Sequence, residues 1–171
     1  HMVSDENGLN ISQRNITVST CGIVPNMIRL SEEGLQITLA LSLHAPNDKI
    51  RKELMPVANS YTIEEILSAC STYFTKTGRR VTFEYSLVSG VNDSRENAEE
   101  LSHLLKHMHG LVNLIPVNPV EERNFRESAP GAVGIFRDCL EKNGINVTIR
   151  RELGRDIDGA CGQLRRHYKE S

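Results

Sequence analysis

Several segments of this 171-residue chain place hydroxyl, imidazole and carboxylate groups on one side of an extended backbone. Side chains alternate across a strand, so in Gln36–His44 the residues Leu39, Leu41 and Leu43 share one face while Ala40, Ser42 and His44 share the other. Thr17 and Ser19 oppose Ile16 and Val18 in the same way, and Glu84 and Ser86 oppose Phe83 and Tyr85. A face that is small and then polar toward the carboxyl end of its strand is where ligands bind in parallel α/β sheets and barrels. Ser42 and His44 are therefore site candidates, and the pattern over three segments reads as a polar-lined barrel mouth. Two other roles fit the same residues. His44 suits a strand cap held by backbone hydrogen bonds, and Glu84 with His44 has the makings of an acid–base pair in an unrelated α/β barrel.

A second constellation lies near the carboxyl end, where Cys161 is flanked by Gly159 and Gly162 in a stretch with little apolar periodicity. Glycines, an Asp158 suited to cap a helix, and Arg150, Arg151 and Arg155 favour access and thiolate character for this cysteine. A bland loop cysteine is the alternative. Arg150, Arg151, Arg155, Arg165, Arg166 and Lys169 outnumber Glu152, Asp156 and Asp158, a local positive balance that suits a phosphate backbone or an ordinary solvated tail. Cys70 falls in register with Ile63, Ile66, Leu67 and Phe74, and Cys139 lies beside Leu140 in a segment with Phe136, so both read as buried small hydrophobes. His103 and His107 stand four apart on an expected helix, but the helix lacks a nearby carboxylate with a hydrolytic role and its histidines flank the apolar stripe, so no metal site is assigned there.

The elements that must position these groups alternate along the chain. Apolar, β-branched segments at Asn15–Thr20, Gln36–Leu43, Arg80–Val88, Leu111–Pro116 and Asn146–Arg150 predict five strands, and the helical periods between them predict a parallel α/β sheet. Pro25–Glu33 reads as a helix stopped by Gly34, and Thr62 with Glu65 as a capping box opening a helix that ends near Gly78. Asp93 and Glu96 repeat the box signature ahead of a helix to about Lys106, and Pro130 and Gly144 bracket another. The stretch from Asn118 to Ala129 lacks clear periodicity, and loops of that length are functional or disordered.

Composition bounds the reading. A chain of this length fits one domain that buries roughly two thirds of its unfolded surface. A formal charge of −2 and a pI near 6.3 give no global basic field, so any nucleic-acid contact must use a local patch. Cys21, Cys70, Cys139 and Cys161 form no C-x-x-C pair, so their spacing shows neither a zinc site nor a disulfide framework, and a reducing, cytoplasmic setting is expected. No apolar run reaches the roughly 18 residues of a membrane span. His1-Met2 reads as a cloning scar, residues 3–150 as one unit and residues 151–171 as a carboxy-terminal segment, with the whole expected to be cut from something longer.

Five segments carry a resemblance: 15–25 (NITVSTCGIVP), 40–48 (ALSLHAPND), 82–93 (TFEYSLVSGVND), 112–119 (VNLIPVNP) and 154–164 (GRDIDGACGQL). In this order, and over nearly the whole chain, the sequence resembles the RlmN/Cfr family of radical S-adenosylmethionine enzymes, which methylate an adenine in RNA. The resemblance implies the later strands and helices of a partial (β/α)6 barrel plus a carboxy-terminal segment. It further implies methylation of carbon 2 of adenine in 23S rRNA and tRNA, with the sister Cfr-type enzymes acting at carbon 8. Ser19, Ser42, Leu43, His44 and Asn118 are then expected to contact S-adenosylmethionine, and Cys161 to carry the methyl group. In the family a [4Fe–4S] cluster generates the radical, because an electron-poor ring carbon cannot attack a sulfonium methyl group unaided. This sequence has no Cys-x-x-x-Cys-x-x-Cys, Gly-Glu-Pro segment, upstream carboxylate base or upstream resolving cysteine. The chain alone is thus expected to be inert, binding cofactor or RNA at most, and to self-associate through a strand edge that a missing half would cover.

Overall fold

The computed structural model describes residues 2–117 and 125–150. Five strands alternate with helices: β1 (Thr17–Thr20), α1 (Val24–Glu32), β2 (Thr38–Ser42), α2 (Asp48–Leu54), α3 (Ile63–Thr77), β3 (Val81–Leu87), α4 (Arg95–Leu105), β4 (Gly110–Pro116), α5 (Pro130–Lys142) and β5 (Val147–Ile149). Short 3₁₀ turns occupy Gln13–Asn15 and Pro56–Asn59. Every strand pair is parallel, in the order β1-β2-β3-β4-β5, which is the expected α/β architecture. Successive parallel neighbours joined by right-handed crossovers place their helices on one side of the sheet.

The period-2 pattern decides which side is covered. In β3 the buried residues Val81, Phe83, Tyr85 and Leu87 alternate with half-buried Thr82, Glu84 and Ser86. The buried set joins Leu39, Leu41 and Leu43 of the β2 segment, Val112 and Leu114 of β4, and apolar residues of α1, α3, α4 and α5 in one core. Each fully buried leucine or phenylalanine contributes about 2 kcal/mol of transfer free energy, so a one-residue slip of β3 would reverse the exposure of its whole apolar set. The Tyr85 and Phe136 rings meet at 5.1 Å in this core, and the Tyr73 hydroxyl donates to the Ile37 carbonyl at 2.9 Å.

Local signals set the helix ends. Thr62 and Glu65 form the expected capping box, and Gly78, at φ 68°, ends α3 in the left-handed conformation that costs a residue with a Cβ. The box ahead of α4 differs from the expectation: Ser94 and Asn97 form it, not Asp93 and Glu96. Asp93 instead accepts from the Gly90 amide at 2.8 Å and the Ser128 hydroxyl at 2.7 Å, tying the loop after β3 to the approach to α5. The helix α2 was not expected. It is too short for a visible apolar period, and its start is marked by the Asn47 side chain accepting from the Ile50 amide at 3.0 Å.

Three further expectations change in detail. Helix α4 ends at Leu105, so His107 lies beyond it and does not share a helix face with His103, while His109 stacks on Phe74 with ring centroids 4.1 Å apart. Cys70 is fully buried, and burial pushes its thiol up to about 12, whereas Cys139 is only half-buried at the core margin. The open strand order leaves two edges among the described residues, β1 and β5, where one was expected. No described helix is long and apolar enough to cross a membrane.

Candidate cofactor-binding face

The uncovered side of the sheet is built in rows. Register aligns Ser19, Ala40, Thr82 and Leu111 across β1 to β4, and two residues further along it aligns Ser42, Glu84, Asn113 and Thr148 across β2 to β5. The second row is hydrogen-bonded sideways: the Thr148 hydroxyl donates to Asn113 Oδ1 at 2.9 Å, and Asn113 Nδ2 donates to Glu84 Oε2 at 3.0 Å. Ser42 ends β2, while Glu84, Asn113 and Thr148 sit at the middles of β3, β4 and β5, so the row runs from the carboxyl end of β2, the side on which open α/β sheets bind ligands, across the sheet. Asn113 and Thr148 were not singled out in the sequence, although both are polar members of alternating segments.

His44 stands just past β2 with φ 58°, a left-handed backbone that is rare for a residue with a side chain. Three strand-end contacts hold it there. Its amide and that of Leu43 both donate to the Glu84 carbonyl, at 3.2 and 3.0 Å. Its Nδ1 accepts from the Ser86 amide at 3.0 Å, and its carbonyl accepts from Asn92 Nδ2 at 2.8 Å. Asn92, fully buried, also donates to the Ser86 carbonyl and accepts from the Val88 amide, while the Tyr85 hydroxyl donates to its carbonyl.

The tautomer follows from these contacts. An Nδ1 that accepts a hydrogen bond leaves the ring proton on Nε2, so His44 offers an Nε2–H donor. Burial, and then the positive charge of Arg51, hold its pKa down to about 4. At neutral pH the imidazole is an uncharged donor with its other nitrogen engaged, and a poor general base. This geometry favours ligand binding over the acid–base pairing with Glu84.

Arg51 explains why the strand ends are so placed. Its side chain is fully buried, and it reaches from α2 to three carbonyls: Nε to Leu43 at 3.2 Å, and Nη2 to Cys21 at 2.8 Å and Ser42 at 3.3 Å. Carbonyls leaving the ends of parallel strands have no further strand to bond, and a buried carbonyl left unpaired is costly. Burial lowers the Arg51 pKa, and the nearby Asp48 carboxylate works the other way. Gly22, at φ 95°, makes the room: a Cβ there would stand 2.8 Å from Ile66 and 3.3 Å from Arg51 Nη2. One buried cation thus links the β1 and β2 ends behind Ser42 and His44.

The expected site residues divide into three groups. Ser42 and His44 are brought together on adjacent positions of the uncovered face, and Ser19 lies on that face in the exposed edge strand β1, one row lower. Leu43 points its side chain into the helix-covered core, so only its main chain can meet a ligand, and both its amide and carbonyl already take part in strand-end bonds. Asn118 and Cys161 lie outside the described residues.

The described residues do not fit an iron–sulfur cluster. Cys21 follows β1, Cys70 is sealed in the core and Cys139 is on α5, and no described group of three His, Cys, Asp or Glu side chains could hold a metal ion. A nucleoside cofactor fits better. The uncovered face carries hydroxyls, an amide, one carboxylate and a neutral imidazole donor in two adjoining rows.

Comparison with known proteins bears on the fold and on the kind of protein this chain resembles. No family model matches the chain. A protein of Lachnospira eligens named "Probable dual-specificity RNA methyltransferase RlmN" is 62% identical over 169 residues, 99% of this chain and 48% of that protein. A Clostridium novyi protein of the same name is 58% identical over 167 residues, 98% of this chain and 49% of its own length. The crystal structure of a radical SAM methyltransferase from Sphaerobacter thermophilus superposes with a TM-score of 0.90 at 48% identity, covering 94% of this chain and 47% of that one. A domain of a pyruvate-formate lyase-activating enzyme from Bacteroides vulgatus, 14% identical with a TM-score of 0.61, shares the fold. The chain spans about half the length of the curated relatives it matches. By sequence over nearly its whole length and by fold, the chain is similar to about half of an RlmN-type radical S-adenosylmethionine methyltransferase.

Proposed function

We propose that this chain is the part of a radical S-adenosylmethionine enzyme that presents cofactor and RNA to each other, for methylation of carbon 2 of an adenine in 23S rRNA and tRNA. The observation that carries the reading is the polar strand-end face, with His44 locked as a neutral donor beside Ser42, in a chain 62% identical to a relative named as an RNA methyltransferase. Ser19, Ser42, His44 and the main chain at Leu43 would hold S-adenosylmethionine together with Asn118. When bound, the cofactor supplies a transferable methyl group and, at a cluster held by residues outside this chain, the radical chemistry that a non-nucleophilic ring carbon requires.

The chain's own residues orient and shield. Arg51 and Asn92 fix the strand ends, so the His44 donor enters binding without reorganising. Cys161 is proposed as the methyl carrier, with the glycines at 154, 159 and 162 lowering the cost of moving it between two partners, and the arginines around it meeting RNA phosphates. The setting is cytoplasmic, where rRNA and tRNA are found. The exposed β1 edge is proposed to pair with the other half of the protein, or with a second copy when the chain is alone. Nucleoside analysis of RNA treated with the reconstituted full-length protein tests the assignment. Methyl on adenine carbon 2 is expected, and methyl on carbon 8, or none, overturns it.

A further inference from the structure

Glu84 stands at the centre of the second row, between Ser42 and Asn113 in register, and is half-buried. Its Oε2 is fixed by Asn113 Nδ2, and Asn113 is fixed in turn by the Thr148 hydroxyl. That chain of bonds settles the amide orientation, because Oδ1 must face a donor and Nδ2 must face the carboxylate. Among the described residues the other carboxylate oxygen has no partner, and Glu84 joins none of the ion pairs. The cations nearby are occupied or distant in register. Arg51 bonds the Ser42 carbonyl but has Asp48 as its acidic neighbour, and Arg150 follows the end of β5, two strands away and exposed. The row Ser42, Glu84, Asn113 and Thr148 therefore carries one formal charge, and it is negative.

A half-buried carboxylate without a counter-ion among the described residues, aimed by its own network, is completed by a cationic ligand. Resting on the reading of this face as the S-adenosylmethionine site, we infer that Glu84 is a specificity-determining residue that favours the sulfonium cofactor over its demethylated product. When the methyl group leaves, the electron pair of the C–S bond stays on sulfur, and S-adenosylhomocysteine is a neutral thioether there. Both molecules share the adenine, the ribose hydroxyls and the amino-acid end, and they differ at this centre by one positive charge and one methyl group. A carboxylate that senses the charge holds the reactant and releases the spent product, which clears the face for the second cofactor molecule that the proposed reaction consumes.

The test is equilibrium binding of S-adenosylmethionine and of S-adenosylhomocysteine to the full-length protein, wild type and Glu84→Gln. Glutamine keeps the acceptor for Asn113 and removes the charge. Wild type is expected to bind S-adenosylmethionine more tightly. Glu84→Gln is expected to weaken it by on the order of tenfold, the effect of one close opposite charge, while changing S-adenosylhomocysteine affinity little. Equal weakening of both ligands would show that Glu84 reads a shared hydroxyl or amino group, and would overturn the inference, as would no change in either. Equal affinities in wild type would overturn it whatever the variant does. Wild type binding neither ligand would instead refute the face as the cofactor site, a separate failure.

Discussion

The state of His44 sets a pH dependence of stability that can be worked through. Its folded-state pKa is held at about 4, against about 6.5 for an unstrained histidine, because protonation would place a charge in a desolvated position near Arg51. The unfolded chain takes up a proton near pH 6.5 and the folded chain does not until near pH 4. Between those values the unfolded state binds more protons, so stability falls as pH falls. A difference of roughly 2.5 pKa units corresponds to about 3 kcal/mol, present above pH 6.5 and lost by pH 4. His44→Asn is the matched control: asparagine Oδ1 replaces Nδ1 as acceptor for the Ser86 amide, tolerates the left-handed backbone, and does not titrate. Urea unfolding of both proteins from pH 7 to pH 4, followed by circular dichroism, should show wild type losing about 3 kcal/mol more than His44→Asn. Parallel profiles, or a wild type that gains on acidification, would refute the neutral, buried assignment.

Replacing Arg51 by methionine leaves the carbonyls of Cys21, Ser42 and Leu43 without their donor, and at about 1 kcal/mol each the loss should be roughly 3 kcal/mol by denaturant unfolding. A loss below about 1 kcal/mol would show that the strand ends hold themselves. Cys70→Ala should cost on the order of 1 kcal/mol, and Cys139→Ala less, because only Cys70 is fully buried; the reverse order of melting temperatures would contradict the packing.

What was legible in the sequence followed from period and punctuation. Alternation at Arg80–Val88 matches the structure residue by residue, because one side of β3 is buried in the core, whereas in β2 Ala40 is buried along with Leu39 and Leu41 and only register separates the faces. The Thr62 box and Gly78 bracketed α3, since their chemistry is local. What stayed hidden depended on contacts between distant residues. Arg51 looks like a surface arginine of a charged helix until three carbonyls from two strand ends converge on it. Leu43 fell within a matching motif, yet alternation alone puts its side chain on the core side. Asp93 and Ser94 both carry capping chemistry, and the choice between them was made by Gly90 and Ser128, which occupy the aspartate. The network through Asn92 joins the end of β2, the end of β3 and the loop that follows it, and has no one-dimensional signature.

The central claim is that this chain carries the methyl group on its own cysteine. Cys161 is the proposed carrier, and among the described cysteines neither Cys70 in the core nor Cys139 at its margin on α5 is placed to serve the polar sheet face. Turnover of the full-length protein with methyl-labelled S-adenosylmethionine, followed by mass spectrometry of its peptides, tests this most directly. Label on the peptide containing Cys161, and none on RNA from the Cys161→Ala protein with its cluster absorbance intact, is the predicted result. Label on another cysteine, or methylated RNA from Cys161→Ala, would contradict it.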